Sequence, residues 1–375
     1  MHRSQPRTAS RVQQDEGVID LSGVVPAIAP PVAVTEALAQ VPLGSDGLHE
    51  TLIRHRLATE FRLSERNLVV LKDLNAAVVG CATQTTGPVV LFPPATTSAL
   101  LAPALERRQV VELARGFSRD GAVTLDSASD LPHNGVAIIA SPGDAFGNLL
   151  TANDAVRLAR SCAWLVIDER FADYAGQSLL NVASEFPNVI VLRSFQSRLG
   201  QTEANPGWAV GSPRSRELLA AISCQLPSGI AQAVLVASSD KAASRMLLSM
   251  VRDERSRLYR ALRKLSYLQP LPSWGPFVAA RVEVGNRETL LALLRERGIL
   301  VHAPQEPGLE RYVRVGIGTR GTMEYLRRTL LDIAPAMLGG QLASGGCDAY
   351  RLTLRGEELS QAEFRQVEER GQRGT

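Results

Sequence analysis

Three charged residues stand where their types and positions could do chemistry. Asp144 lies just beyond the apolar run Val136–Ala140, and Asp168 closes the run Trp164–Ile167. Two carboxylates at strand ends form a general acid–base pair if they converge, because like charges raise the pKa of one. Arg314 is flanked by Val313 and Val315. A guanidinium in an apolar strand is costly to bury unless an anion meets it. That anion is either a ligand carboxylate, gripped bidentately, or a neighbouring Asp or Glu.

The elements that must position these groups alternate. Short β-branched runs occur at Val89–Phe92, Val136–Ala140, Trp164–Ile167 and Val189–Leu192, with helix-like segments at Thr97–Glu106, Thr151–Ser161 and Leu179–Glu185 between them. This rhythm predicts an α/β chain with a mostly parallel sheet covered on both faces. Ligands in such sheets sit at the carboxyl ends of strands. Those ends are Pro93–Thr97, Ser141–Gly147, Asp168–Phe171 and Arg193–Ser197. Leu48–Phe61 carries Leu48, Leu52, Ile53 and Leu57 at helical spacing. Residues Pro26–Pro31 must be extended.

After Pro227 the pattern changes. Ile230–Tyr267 is mostly helical, and a smaller α+β module follows, with strands at Phe277–Val284, Ile299–His302 and Val313–Ile317 and helices at Glu288–Arg297 and Thr322–Ile333. The expected division is a flexible arm over 1–17, an extended segment over 18–45 packing on the small domain, and a large α/β domain over 46–232. A linker helix and small domain over 233–337 and an extension over 338–375 complete it.

The 375 residues, 45% of them hydrophobic, are ample for two buried cores. A net charge of +3 with no basic run excludes the electrostatic footprint of a nucleic-acid or membrane-surface protein. Cys81, Cys162, Cys224 and Cys347 are scattered without metal-ligand spacing, so no metal site is expected. No apolar run reaches spanning length and no apolar leader core follows Met1, so the expected location is the cytoplasm.

Several motifs fall in one order. Val166–Gly211 contains V-I-D-E-R-F-A-D-Y, N-V-I-V-L-R-S-F-Q-S-R-L-G and N-P-G-W-A-V-G. Gly298–Thr319 reads G-I-L-V-H-A-P-Q-E-P-G-L-E-R-Y-V-R-V-G-I-G-T. Ser141–Gly147 and Leu226–Ala233 add S-P-G-D-A-F-G and L-P-S-G-I-A-Q-A. Together they resemble the histidinol-phosphate aminotransferase branch of the class I/II aminotransferases, the fold type I pyridoxal-phosphate enzymes, over about residues 18–336. The resemblance implies a large domain with a mostly parallel, seven-stranded-type sheet, a smaller α+β C-terminal domain, and a homodimer.

It also implies roles. Asp168 matches the acid that holds the cofactor's ring nitrogen, and Arg314 matches the arginine that grips the substrate carboxylate. Other positions depart from the pattern. Ser197 stands at the imine-forming lysine, where the family runs S-(F/L)-S-K. The adjacent Arg198 cannot replace it, since a guanidinium stays protonated. Asn205 stands at the phosphate arginine, and Asp73, Leu74 and Asn75 replace the Gly-Ser phosphate cup. Asp73 would repel a phosphate unless Lys72 offsets it. Asp144 and Phe171 replace the asparagine and tyrosine that contact the ring hydroxyl. Thr96 lies where a stacking aromatic belongs and Val41–Pro42 where a Tyr-Pro belongs. Pro276 and His302 replace an Asn and an Arg.

From these departures the expectation is that no cofactor is used. Asp168, Asp144 and Ser197 are the catalytic candidates. Arg314, Arg198, His302, Phe171 and Asn205 are the substrate-binding candidates. Three functions remain open. The first is a cofactor-independent enzyme or ligand-binding protein for a small carboxylate-bearing metabolite, suited to specialised biosynthesis. The second is a catalytically inactive homologue that pairs with an active aminotransferase. The third is a lysine-independent pyridoxal- or pyridoxamine-phosphate enzyme.

Overall fold

The structure, a computed structural model, describes residues 17–339 apart from 40–47, 96–99, 107, 114, 118–122, 126–130, 201–204 and 224. The arm expected before Gly17, the positions Val41, Pro42 and Thr96, and the extension after Gly339 lie outside these residues.

The chain opens with β1 (Ile19–Leu21), α1 (Val32–Ala39) and α2 (Leu48–Phe61), the last spanning the residues its apolar spacing predicts. The larger part then carries β2 (Leu68–Leu71), α3 (Leu74–Gln84), β3 (Val89–Leu91) and β4 (Val110–Glu112). A hairpin of β5 (Gly116–Phe117) and β6 (Val123–Thr124) precedes β7 (Val136–Ala140), β8 (Trp164–Asp168), β9 (Val189–Ser194) and β10 (Gly207–Gly211). One seven-stranded sheet runs in the order β2-β10-β9-β8-β7-β3-β4. All its pairs are parallel except those of β10, which is antiparallel to both β2 and β9.

Both faces of this sheet are covered. Leu165 and Ile167 of β8 enter one apolar core while Val166 between them enters another, and β9 splits the same way. A strand buried on both faces needs apolar residues at every position, which is why these strands read as unbroken runs. The short edge strand β4, V-V-E with both ends exposed, carries no such signal. In the Thr97–Glu106 segment, the described part holds a 3-10 turn at Ala102–Leu105 with Pro103 inside it.

The helical stretch beyond Pro227 is two helices, Ser228–Ser239 and Lys241–Leu262. Asp240 divides them, its side chain accepting from the Ala243 amide at 2.9 Å as an N-cap. The smaller module holds the antiparallel sheet of β11 (Leu268–Pro270), β12 (Phe277–Val282) and β14 (Tyr312–Gly316), and β13 (Ile299–Val301). β1 pairs in parallel with β13, so the chain start is stitched to this module. A third core, including Leu21, Val251, Phe277, Val315 and Leu326, fills it. No helix of the described residues is long and apolar enough to cross a membrane.

Candidate ligand-binding site

The strand order brings the singled-out residues to one sheet edge. β7, β8 and β9 are parallel neighbours, with Ala140 opposite Asp168 and Asp168 opposite Leu192. The segments Ser141–Gly147, Asp168–Phe171 and Phe195–Ser197 therefore leave the sheet side by side. The reversal at β10 adds more. Gly207 sits opposite both Ser194 and Leu71, so Asn205 and Asp73–Asn75 reach the same edge from outside the parallel set. Gly207 must be a glycine, because a Cβ there would collide with the Arg193 carbonyl oxygen.

Asp168 is almost fully buried and is already engaged. Arg170 donates to its Oδ2 through Nε at 2.8 Å and Nη2 at 2.6 Å, and the Arg170 amide donates to Oδ1 at 3.0 Å. Arg170 Nη1 reaches on to Asn75 Oδ1 at 2.9 Å. Burial works against the Arg170 charge, but Asp168, Asp144 and Asp73 together hold its pKa above the ordinary value. Asp144 and Asp168 both lie within electrostatic range of this guanidinium, and Asp168 is bonded to it directly. The expected carboxylate-to-carboxylate acid–base pair is corrected: each carboxylate has an arginine to face. Arg170 was missed in the sequence. The available signal was a cation placed directly behind a strand-end Asp-Glu.

The start of α3 is also occupied from within. Asp73 is the N-cap, its Oδ1 accepting from the Ala76 amide at 3.0 Å. The carboxylate expected to repel a phosphate instead satisfies an orphan amide of its own helix. Lys72 beside it is exposed. Leu74 is buried, and its amide donates to the Asn205 carbonyl at 2.9 Å. Asn205 Oδ1 is buried and finds no partner among the described residues.

Ser197 lies on the short helix Gln196–Leu199, 1% exposed, and its hydroxyl donates to Asp173 Oδ2. Asp173 pairs with Arg193, which also donates to Glu169 Oε2 at 3.1 Å and Ser178 Oγ at 2.9 Å. Burial pushes the Asp173 pKa up, but Arg193, Arg198 and the Ser197 hydroxyl outweigh it and hold the carboxyl below its usual range. Ser197 is thus committed to a buried polar network. Two binding candidates need correcting as well. Arg198 bonds Glu60 with Nη2–Oε1 at 2.7 Å and Nη1–Oε2 at 3.0 Å, so its guanidinium is spent on α2. Phe171 is buried edge-on against Phe277, centroids 5.7 Å apart, and packs the two modules together.

Arg314 has a different environment. It is 5% exposed on β14, and its Nη1 donates to the Asp144 carbonyl at 2.8 Å. Its guanidinium carbon lies 5.2 Å from the Phe277 ring centre, a cation–π contact. Among the described residues its Nε, which is buried, has no hydrogen-bond partner, and no carboxylate lies within ion-pair distance. Burial lowers its pKa, with Asp144 and Glu306 opposing from further away. His302 is bridged to Arg314 through the backbone. Its pKa is pushed down to about 4 by burial, then by Arg314 and Arg287, so the imidazole is neutral at pH 7. Across the edge, buried Arg115 donates to the Pro94 carbonyl and feels the Asp144 charge. Buried Asn148 lies beside Arg115, on the same side of Gly143. Arg115 and Asn148 also escaped sequence reading. Neither ends a strand; Asn148 shares Asp144's loop, and only the fold brings Arg115 to it.

Comparison with known proteins bears on the fold and the family. The family model "Aminotransferase class I and II" matches residues 52–330. Histidinol-phosphate aminotransferase 1 of Trichormus variabilis is 29% identical over 231 residues, covering 61% of this chain and 62% of that protein. Histidinol-phosphate aminotransferase 2 of Archaeoglobus fulgidus is 29% identical over 53% of this chain and 58% of its own length. The matched stretch thus spans about six tenths of such relatives. Among solved structures, the histidinol-phosphate aminotransferase of Clostridium acetobutylicum superimposes with a TM-score of 0.75, at 14% identity over 85% of this chain and 100% of that one. That of Sinorhizobium meliloti, solved in complex with pyridoxal-5'-phosphate, gives 0.73, at 18% identity over 84% and 91%. These findings overturn the expectation that no cofactor is used, because the family they identify works with pyridoxal phosphate. The fold, the motifs and the family match agree that this chain belongs to the class I and II aminotransferases.

Proposed function

We propose that this member of the family binds a small carboxylate-bearing metabolite at the strand-end edge, with Arg314 as the group that grips it. The observation that carries the reading is the Arg314 guanidinium: buried, stacked on Phe277, and with Nε lacking a partner among the described residues. An unmet buried donor on a charged group costs about 1–3 kcal/mol, which an entering carboxylate recovers. His302 beside it, neutral at pH 7, adds a ring nitrogen without adding a competing charge.

The residues at this edge do not fit the family's cofactor in its imine-bound form. The position of the amine is Ser197, hydrogen-bonded to Asp173. The acid for the ring nitrogen, Asp168, is held by Arg170, and the α3 N-terminus is capped by Asp73. All three lysines of the sequence, Lys72, Lys241 and Lys264, are exposed. Family membership therefore favours a second reading alongside the first, in which pyridoxal or pyridoxamine phosphate is held without a covalent bond.

One pair of measurements tests both. Calorimetric titration of the protein with a series of monocarboxylates should show binding that Arg314→Gln removes; absence of binding sinks the first reading. Borohydride treatment after incubation with pyridoxal phosphate, followed by peptide mass mapping, should show no stoichiometric lysine adduct. A single fully modified lysine sinks the second.

A further inference from the structure

Asn148 is 2% exposed, and neither its Nδ2 nor its Oδ1 has a hydrogen-bond partner among the described residues. Leaving a buried amide atom unmet costs about 1–3 kcal/mol, so native proteins seldom do so without a reason.

The surroundings say what the amide faces. The Gly143 amide donates to the Asn148 carbonyl at 2.7 Å, folding the loop after β7 back on itself. A Cβ on Gly143 would run into Asn148 Oδ1 and lie 3.3 Å from Arg115 Nη1. The absent side chain thus lets the Asn148 amide and the Arg115 guanidinium sit side by side. Asp144, next in the chain, is the charge neighbour of both Arg115 and Arg314.

We propose that Asn148 and Arg115 form a subsite for a carboxamide, at the far end of a ligand whose carboxylate Arg314 grips. A carboxamide meets both amide atoms at once. Its carbonyl accepts from Asn148 Nδ2 and from the guanidinium, and its N–H donates to Asn148 Oδ1. A carboxylate accepts from the same donors but offers Oδ1 nothing, and it sets a second negative charge near Asp144. An alkyl end meets neither atom. The subsite rests on the reading of Arg314 given above.

The test is calorimetric titration of the full chain with three matched series: ω-carboxamide acids from malonamate to adipamate, the α,ω-dicarboxylates of equal length, and the plain monocarboxylates. The expected result is one amide length binding about tenfold tighter than its dicarboxylate and monocarboxylate counterparts. In Asn148→Ala that amide should fall to the level of the monocarboxylate. The melting temperature of the ligand-free variant should not drop, because an unmet amide has been removed. In Arg314→Gln all three series should lose binding. Amides no tighter than monocarboxylates, or a preference that survives Asn148→Ala, overturns the subsite and leaves the Arg314 reading standing. No binding by any series in the wild-type chain overturns both.

Discussion

Arg170 lies across the carboxylate of Asp168, two residues behind it in the chain, with Nε and Nη2 both on Oδ2. A strand-end acid that sequence alone offers to a ligand is here held by the chain's own cation. Removing one partner of a buried pair strands the other charge, at a cost of about 3–5 kcal/mol. Arg170→Ala should therefore lose that much in urea unfolding. Arg170→Ala with Asp168→Asn should recover a large part of the loss. If the double variant is as unstable as the single one, the pair is not coupled as described.

Arg314→Gln should weaken carboxylate binding at least tenfold, since a charge-assisted contact is lost. Arg314→Lys should not restore it, because an ammonium lacks the planar fork and cannot stack on Phe277 in the same way. Arg198→Ala is the control. Its guanidinium serves Glu60, so carboxylate affinity should stay within twofold. Calorimetry with one monocarboxylate reads all three.

His302 supplies a pH dependence with a defined sign. Its folded-state pKa of about 4 lies below the ordinary value of 6.5, through burial and then through Arg314 and Arg287. Between these values the unfolded chain takes up a proton that the folded chain refuses, so stability falls as pH drops from 6.5 towards 4. The site is partly open to solvent, so screening reduces the effect to about 1–2 kcal/mol. His302→Asn should flatten this part of the pH–stability curve. An unchanged slope would assign the dependence to other groups.

Ser197→Ala removes a hydroxyl that donates to Asp173 deep in the fold. The variant should lose about 1–2 kcal/mol at pH 7. The Asp173 pKa is held below the usual carboxyl range, so its contribution is present above that range and lost on acidification through the folded value. Ser197→Ala raises that folded value, so acid unfolding should begin at higher pH. Urea titrations at several pH values check both expectations. A variant as stable as the parent would mean that Arg193 alone satisfies Asp173.

Much of the fold is legible in the sequence because burial writes itself into composition. β7 and β8 were read almost to the residue, since a strand covered on both faces must be apolar throughout. α2 was read from the spacing of Leu52, Ile53 and Leu57. The break at Asp240 escaped, because a single cap residue barely disturbs a long helical pattern. The reversed β10 escaped as well, since strand direction leaves no local trace. It nevertheless decides which residues share an edge with Asp168.

The site divides along the same line. By itself the sequence determined that Asp168 ends a central strand and that Arg314 is buried between valines, because both follow from local apolar patterning. Only the tertiary structure decided what each charge meets: Arg170 on Asp168, Glu60 on Arg198, Asp73 on its own helix, and, among the described residues, no carboxylate at ion-pair range of Arg314. The physical reason is range. Hydrophobic periodicity is set by neighbours a few residues apart, whereas the partner of a buried charge comes from whichever segment the sheet order lays beside it.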